Sequence, residues 1–198
     1  MNAVGKRRAV VPLACVLVAA CSSSGHGGSA SDPARAAVEP MDMTYTLSCD
    51  GIVPDGLRAT LVDGVARIGA DGTRPPYYDH YDIRVTDTAS GDVDGDGAAD
   101  TVVLLQCSPQ PSNGILQEVQ VFSSAGSRLG TLPSPRTLQG DEAPLPPEYQ
   151  PRGLSVRDGE IVATMEAYGP EDFHAGGPSR PLTVHWRFDG AAFEQVSS

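Results

Sequence analysis

Apolar and polar residues alternate in short runs along most of this chain, and several runs break at an Asp-Gly pair. Alternation with a period of two is the pattern of a half-buried strand, and Asp-Gly between two such runs is the strongest short-range hairpin signal. Three segments carry it: LRATLV–Asp63-Gly64–VARIGA, LSVR–Asp158-Gly159–EIVATMEAY and LTVHWRF–Asp189-Gly190–AAFEQV. In the last, Leu182, Val184, Trp186 and Phe188 share one face while Thr183, His185 and Arg187 share the other, which places His185 on a polar sheet face. Further strands are predicted at Thr44–Ser48, Tyr81–Asp87, Thr101–Cys107, Leu116–Phe122 and Arg128–Leu132. The run VVLL at 102–105 is apolar on both faces, as a central strand is. No amphipathic helical stretch stands out. The pattern predicts an all-β fold: a single antiparallel β domain, a sandwich or a strongly curled sheet, built of hairpins. No repeat recurs at propeller-blade spacing.

Two connections are longer than strand joining requires, one from Pro133 to Arg152 with the run PLPPEYQP, the other over 169–180. Long ordered loops are frequent binding surfaces. Tyr149, Phe173 and the cluster Tyr77, Tyr78 and Tyr81 are candidates to line one, or to pack the loops onto the sheet.

The first forty residues follow a different pattern. Lys6, Arg7 and Arg8 precede an apolar run from Ala9 to Ala20, which ends in small residues just before Cys21. A cationic start, a short apolar core and a small-residue end make an export signal. A membrane-spanning helix needs about 20 apolar residues, so this run is too short to anchor the chain by itself. Val18-Ala19-Ala20-Cys21 resembles a lipobox, the motif shared by bacterial lipoprotein signals. That resemblance implies cleavage before Cys21 and a diacylglycerol thioether on it, hence a lipid-anchored protein at the extracytoplasmic face of the cell membrane. The expected organisation is a signal peptide over 1–20, lipidated Cys21 and a tether over 21–40, and a β-rich extracytoplasmic domain over 41–198. The tether is dominated by Ser, Gly, Ala and Pro, a composition that does not favour ordering; its His26 is expected to be solvated.

Charge narrows the partners. Removing residues 1–20 takes away three of the 14 basic residues and none of the 25 acidic ones, leaving a net charge of −14 and no lysine. Such a surface repels nucleic acid and anionic headgroups and suits cations or solubility. With Cys15 lost with the signal and Cys21 lipidated, Cys49 and Cys107 remain as a pair. In an oxidising compartment they are expected to form a disulfide, two buried free thiols being the alternative.

One stretch carries recognisable chemistry. Residues 92–100 read DVDGDGAAD, placing Asp92, Asp94, Asp96 and Asp100 at positions 1, 3, 5 and 9 of a calcium-loop pattern, Gly97 at its turn and the Ala98 carbonyl at position 7. Position 12 is Val103 rather than the bidentate Glu of an EF-hand, and a strand follows instead of a helix. The loop resembles the Asp-rich loops of FG-GAP/VCBS-type repeats, in a single copy, which implies a structural calcium site. Calcium takes 6–8 oxygens, so water or a nearby acid such as Asp87 or Asp82 would have to complete the shell. A polar loop using Asp and Gly for turn chemistry gives the same sequence. The stretch GDVDGDGAADTVVLLQCSPQPSNG, with AYGP and WRFDGAAF, resembles secreted lipoproteins of actinobacteria over most of Met41–Val196, implying a similar fold and no particular activity.

The chain contains no GxSxG, HExxH, P-loop or dinucleotide-binding glycine pattern. The expectation is a non-catalytic binding or scaffold module whose loops hold an envelope protein or a cell-wall glycan. The competing expectation is a surface hydrolase with its site near His80 or His174, where Asp79 and Asp172 are close in sequence. A concave pocket joining one of these histidines to several acids would favour the hydrolase.

Overall fold

The computed structural model describes residues 38–73 and 76–196; the signal segment, Cys21 and His26 lie outside the described residues. The described part is all-β, as the alternation predicts. Its eleven strands are β1 Thr44–Leu47, β2 Leu57–Thr60, β3 Val65–Gly69, β4 His80–Gly91, β5 Asp100–Gln110, β6 Leu116–Phe122, β7 Arg128–Thr131, β8 Glu148–Arg157, β9 Glu160–Ala167, β10 Arg180–Phe188 and β11 Phe193–Gln195. A 3₁₀ turn at Pro135–Leu138 is the one helical element among the described residues. No helix among them is long and apolar enough to cross a membrane.

The strands form three antiparallel sheets, ordered β3-β4-β5-β6-β7, β11-β10-β9-β8 and β1-β2. Strand β5 shows why they stack. Its Val102 and Leu104 enter a core shared with Ile161, Met165, Val184 and Trp186 of the four-stranded sheet. Its Val103, Leu105 and Cys107 enter a second core with Tyr45, Leu47, Ala59 and Leu61 of the β1–β2 hairpin and its flank. Burial on both faces is what an apolar run without alternation requires. Each fully buried side chain of this size contributes roughly 1.5–3 kcal/mol.

The three Asp-Gly segments fold differently. At Asp158-Gly159 both residues adopt positive φ, 52° and 77°, the geometry of the tight turn that joins β8 to β9. At Asp189-Gly190 the loop is wider: Phe188 pairs with Phe193, and the Asp189 carboxylate accepts N–H bonds from Ala191 and Ala192, both at 2.8 Å. The Asp63-Gly64 segment is a correction. Its turn forms, with φ of 52° and 77°, but only Val62 and Val65 bridge across it. Strand β2 then pairs with β1 and β3 with β4, so the arms belong to different sheets. Ala59 and Leu61 on one arm, and Ala66 and Ile68 on the other, reach the same core from two sides.

Strand β4 is longer than its alternation suggested because a bulge between Val85 and Asp87 resets its register against β5. Beyond the bulge, Asp87 turns to the four-stranded sheet, where its carboxylate accepts the Leu154 N–H at 3.0 Å. Gly91, at the end of β4, lies so close to β8 that a Cβ there would sit 2.7 Å from the Val156 side chain. Gly91→Ala is therefore expected to cost about 1–3 kcal/mol in urea unfolding. Val156→Ala in the same chain should recover part of that loss, because the two changes act on one contact.

Candidate functional site

The Asp-rich loop spans the turn from β4 to β5, closed at its base by the Gly91–Asp100 pair. Asp92, Asp94 and Asp100 each offer a carboxylate oxygen within 4.8 Å of the others, close enough to share one cation. Gly95 and Gly97 take φ of 80° and 84°, which lets the loop wrap back on itself. Asp92 accepts the N–H groups of Gly95 at 2.8 Å and Gly97 at 3.0 Å. Asp94 accepts that of Asp96 at 3.0 Å.

Asp100 is the pivot. It is 0 % exposed, and its Oδ2 accepts the N–H groups of Val93 at 2.8 Å and Asp94 at 3.2 Å. Its Oδ1 accepts the Ser124 N–H at 3.0 Å from the β6–β7 turn. Three backbone donors on one carboxylate compensate its burial. The Ser124 partnership had no signal in the sequence, since residues 24 positions apart meet only through the sheet. The Ser124 hydroxyl is itself buried without a hydrogen-bond partner among the described residues.

Asp96 is outside the convergent group; its Oδ1 accepts the Ala98 N–H at 2.7 Å. The acids expected to complete the shell are committed elsewhere. Asp82 is paired with Arg67 at 2.8 Å, and the Arg67 hydrogen bond holds its carboxyl below the usual range. Asp87 bonds Leu154 and Thr88, four residues up the strand from Gly91, a run of about 13 Å. Three protein carboxylates suit a hard cation, and water or backbone oxygens must supply the remaining ligands.

A second site lies at the opposite end of the strands. Both long loops meet there, at a cavity of about 190 Å³ lined by Ile115, Leu116, Leu145, Pro146, Pro147 and His174 among others. A neighbouring cavity of about 330 Å³ shares Asp50, Gln117, Pro135 and Arg136 with it. The shared wall is held by Asp50, which bonds Ser134 Oγ at 2.5 Å and Arg136 Nε. Cys49 and Asp50 have positive φ, 46° and 53°, and Cys49 is disulfide-bonded to Cys107 with Cα atoms 5.7 Å apart, as the cysteine pairing predicts.

The histidines divide. His174 lines the smaller cavity with Asp50 and Glu148, and its Nε2 is 3.3 Å from the Asn113 amide. Glu148 accepts the Tyr168 hydroxyl at 2.9 Å; burial first, then this bond, pushes Tyr168 up to about 12. His80 lies 3.6 Å from Asp82 on the β3–β4 ladder. His185 faces Glu160 at 3.0 Å on the polar sheet face; that bond, with Arg187 beside it, lowers the Glu160 carboxyl.

The aromatic candidates divide too. Tyr149 is a core residue, 4 % exposed, and not a surface one: its backbone is caught by the Gln117 side-chain amide from β6. Phe173 is 66 % exposed at the tip of its loop. Tyr78 and Tyr81 stack edge to face at 5.8 Å beside a separate cavity of about 210 Å³. Compared with known proteins, the chain matches no family model, no curated protein and no solved structure.

Proposed function

We propose that the protein is a lipid-anchored extracytoplasmic lipoprotein whose β domain is a non-catalytic binding module, stabilised by calcium in the Asp-rich loop. The observation that carries the binding role is the meeting of both long loops at one pair of adjoining cavities. The anchor rests on the lipobox residues Val18-Ala19-Ala20-Cys21. Val38, where the described chain begins, lies beside Gly126 at the Phe122 end of β6, while the cavities lie at its Leu116 end. The partner we propose is an envelope protein or a cell-wall glycan.

His174 beside Asp50 and Glu148 supports a second reading, a hydrolase. The chemistry of the lining weighs against it. Asp50 is engaged by Ser134 and Arg136, and Glu148 by Tyr168. Sedimentation of the chain from Ser22 onward with envelope fragments separates the two. A binding module is retained saturably as the wild type, which releases no hydrolysed product, and is lost on Ile115→Ser. Turnover of envelope material that His174→Ala abolishes would establish the hydrolase instead.

Calcium has its own test. The carboxylates of Asp92, Asp94 and Asp100 are ready-made ligands, and the unpartnered Ser124 hydroxyl is a polar atom that an ion-bound water would satisfy. Roughly millimolar calcium should raise the melting temperature by about 3 °C or more, and Asp94→Ala should remove the gain without unfolding the apo protein. No shift in the wild type would leave the loop a turn.

A further inference from the structure

The geometry points to the outer edge of β6 as a docking site for an extended, cationic peptide segment of the partner, which would add to the five-stranded sheet as a further strand; this rests on the binding-module reading above. Strand β7 pairs only with Gln120–Phe122, so among the described residues the outer edge of β6 from Leu116 onward has no strand partner beyond one bond from Leu132 N–H to the Val119 carbonyl at 2.9 Å. Pro133 follows; it has no N–H with which to continue the ladder, and the chain leaves the sheet toward the Pro135–Leu138 turn. Backbone groups alternate sides along a strand, so those of Gln117 and Ile115 face the same open side as those of Val119.

The two cavities fall where an added strand would need them. Successive side chains of an extended peptide point to opposite faces of the sheet. Gln117 lines both cavities; one also takes in Pro146, Pro147 and His174, from connections that flank the four-stranded sheet, and the other takes in Ser48 and Gly51, next to the β1–β2 hairpin. Main-chain bonds along an open edge with pockets for alternate side chains are the general form of strand addition. Ile115, 58 % exposed at the lip, offers the first apolar contact. Charge selects the occupant. The paired cavities hold the carboxylates Asp50, Glu118 and Glu148 against one guanidinium, Arg136, and the mature chain has no lysine to compensate. A segment alternating apolar and basic residues meets both demands.

The test uses the chain from Ser22 onward and the blocked peptide Val-Lys-Val-Lys-Val, with binding followed by calorimetry and by the amide resonance of Gln117. The peptide should bind saturably and shift that resonance. Replacing its lysines by glutamates, or methylating its backbone nitrogens, should each weaken binding about tenfold or more. Ile115→Ser and Glu148→Gln, both at exposed positions and checked for unchanged melting, should weaken it as well. Absent binding, equal binding of the methylated or the glutamate peptide, or indifference to both substitutions would overturn the proposal. So would a dimer of this chain that occupies the edge in place of peptide. If the peptide fails while envelopes still retain the wild type and release Ile115→Ser, the edge proposal falls and the binding-module reading stands; if envelopes retain neither, both fall.

Discussion

Replacing Cys49 and Cys107 together by alanine is expected to lower the unfolding free energy by about 4 kcal/mol, the chain-entropy value for a loop of this length. The pair is 58 residues apart, and both cysteines are buried, 1 % and 2 % exposed, within the core between β5 and the β1–β2 hairpin. Urea unfolding of the oxidised wild type and the double substitution measures the difference directly. The loss should extend to the groove, because the Cys49 turn presents Asp50 to Ser134 and Arg136. Loosening that turn should weaken envelope retention even where the domain remains folded. A stability change below about 1 kcal/mol would mean that the rest of the core already holds the hairpin.

The second large effect is expected at Asp100. Asp100→Ala removes the acceptor of three N–H groups inside the fold, those of Val93, Asp94 and Ser124. The Val93 bond is buried and the other two are partly buried; a buried donor left unpaired costs about 1–3 kcal/mol, so a total of about 2 kcal/mol or more is expected even without calcium. Asp96→Ala is the control. Its carboxylate serves one exposed N–H, that of Ala98, and its removal should cost well under half as much. Equal effects at the two positions would show that the loop depends on overall charge rather than on the buried carboxylate of Asp100.

Much of this was legible along the chain. Where one sheet face is buried, period-two alternation is enforced residue by residue, so β10 and the double-sided run of β5 were readable from local pattern alone. Asp-Gly marked every turn it occupied in the three hairpin candidates, because positive φ at a tight turn selects for such residues. It did not say which strands pair. The arms at Asp63-Gly64 separate, β2 to β1 and β3 to the longer β4, because pairing is a property of the whole sheet. The Asp-rich loop showed the same limit. Spacing identified Asp92, Asp94 and Asp100, but the turn of Asp96 toward Ala98, and the Ser124 N–H on Asp100, depend on how the loop closes over β6–β7. The groove was visible only as two loops of unusual length. Nothing in their composition disclosed that Tyr149 would be buried, or that Pro133 would leave a strand edge open between two cavities.

The proposed lipid anchor is tested most directly by the intact mass of the mature protein isolated from the membrane fraction. The lipobox predicts a chain beginning at Cys21 and carrying a diacylglyceryl adduct on that residue, with Cys21→Ser protein either unprocessed or released from the membrane. A mature chain of unmodified mass, cleaved elsewhere or found free in the medium, would contradict it.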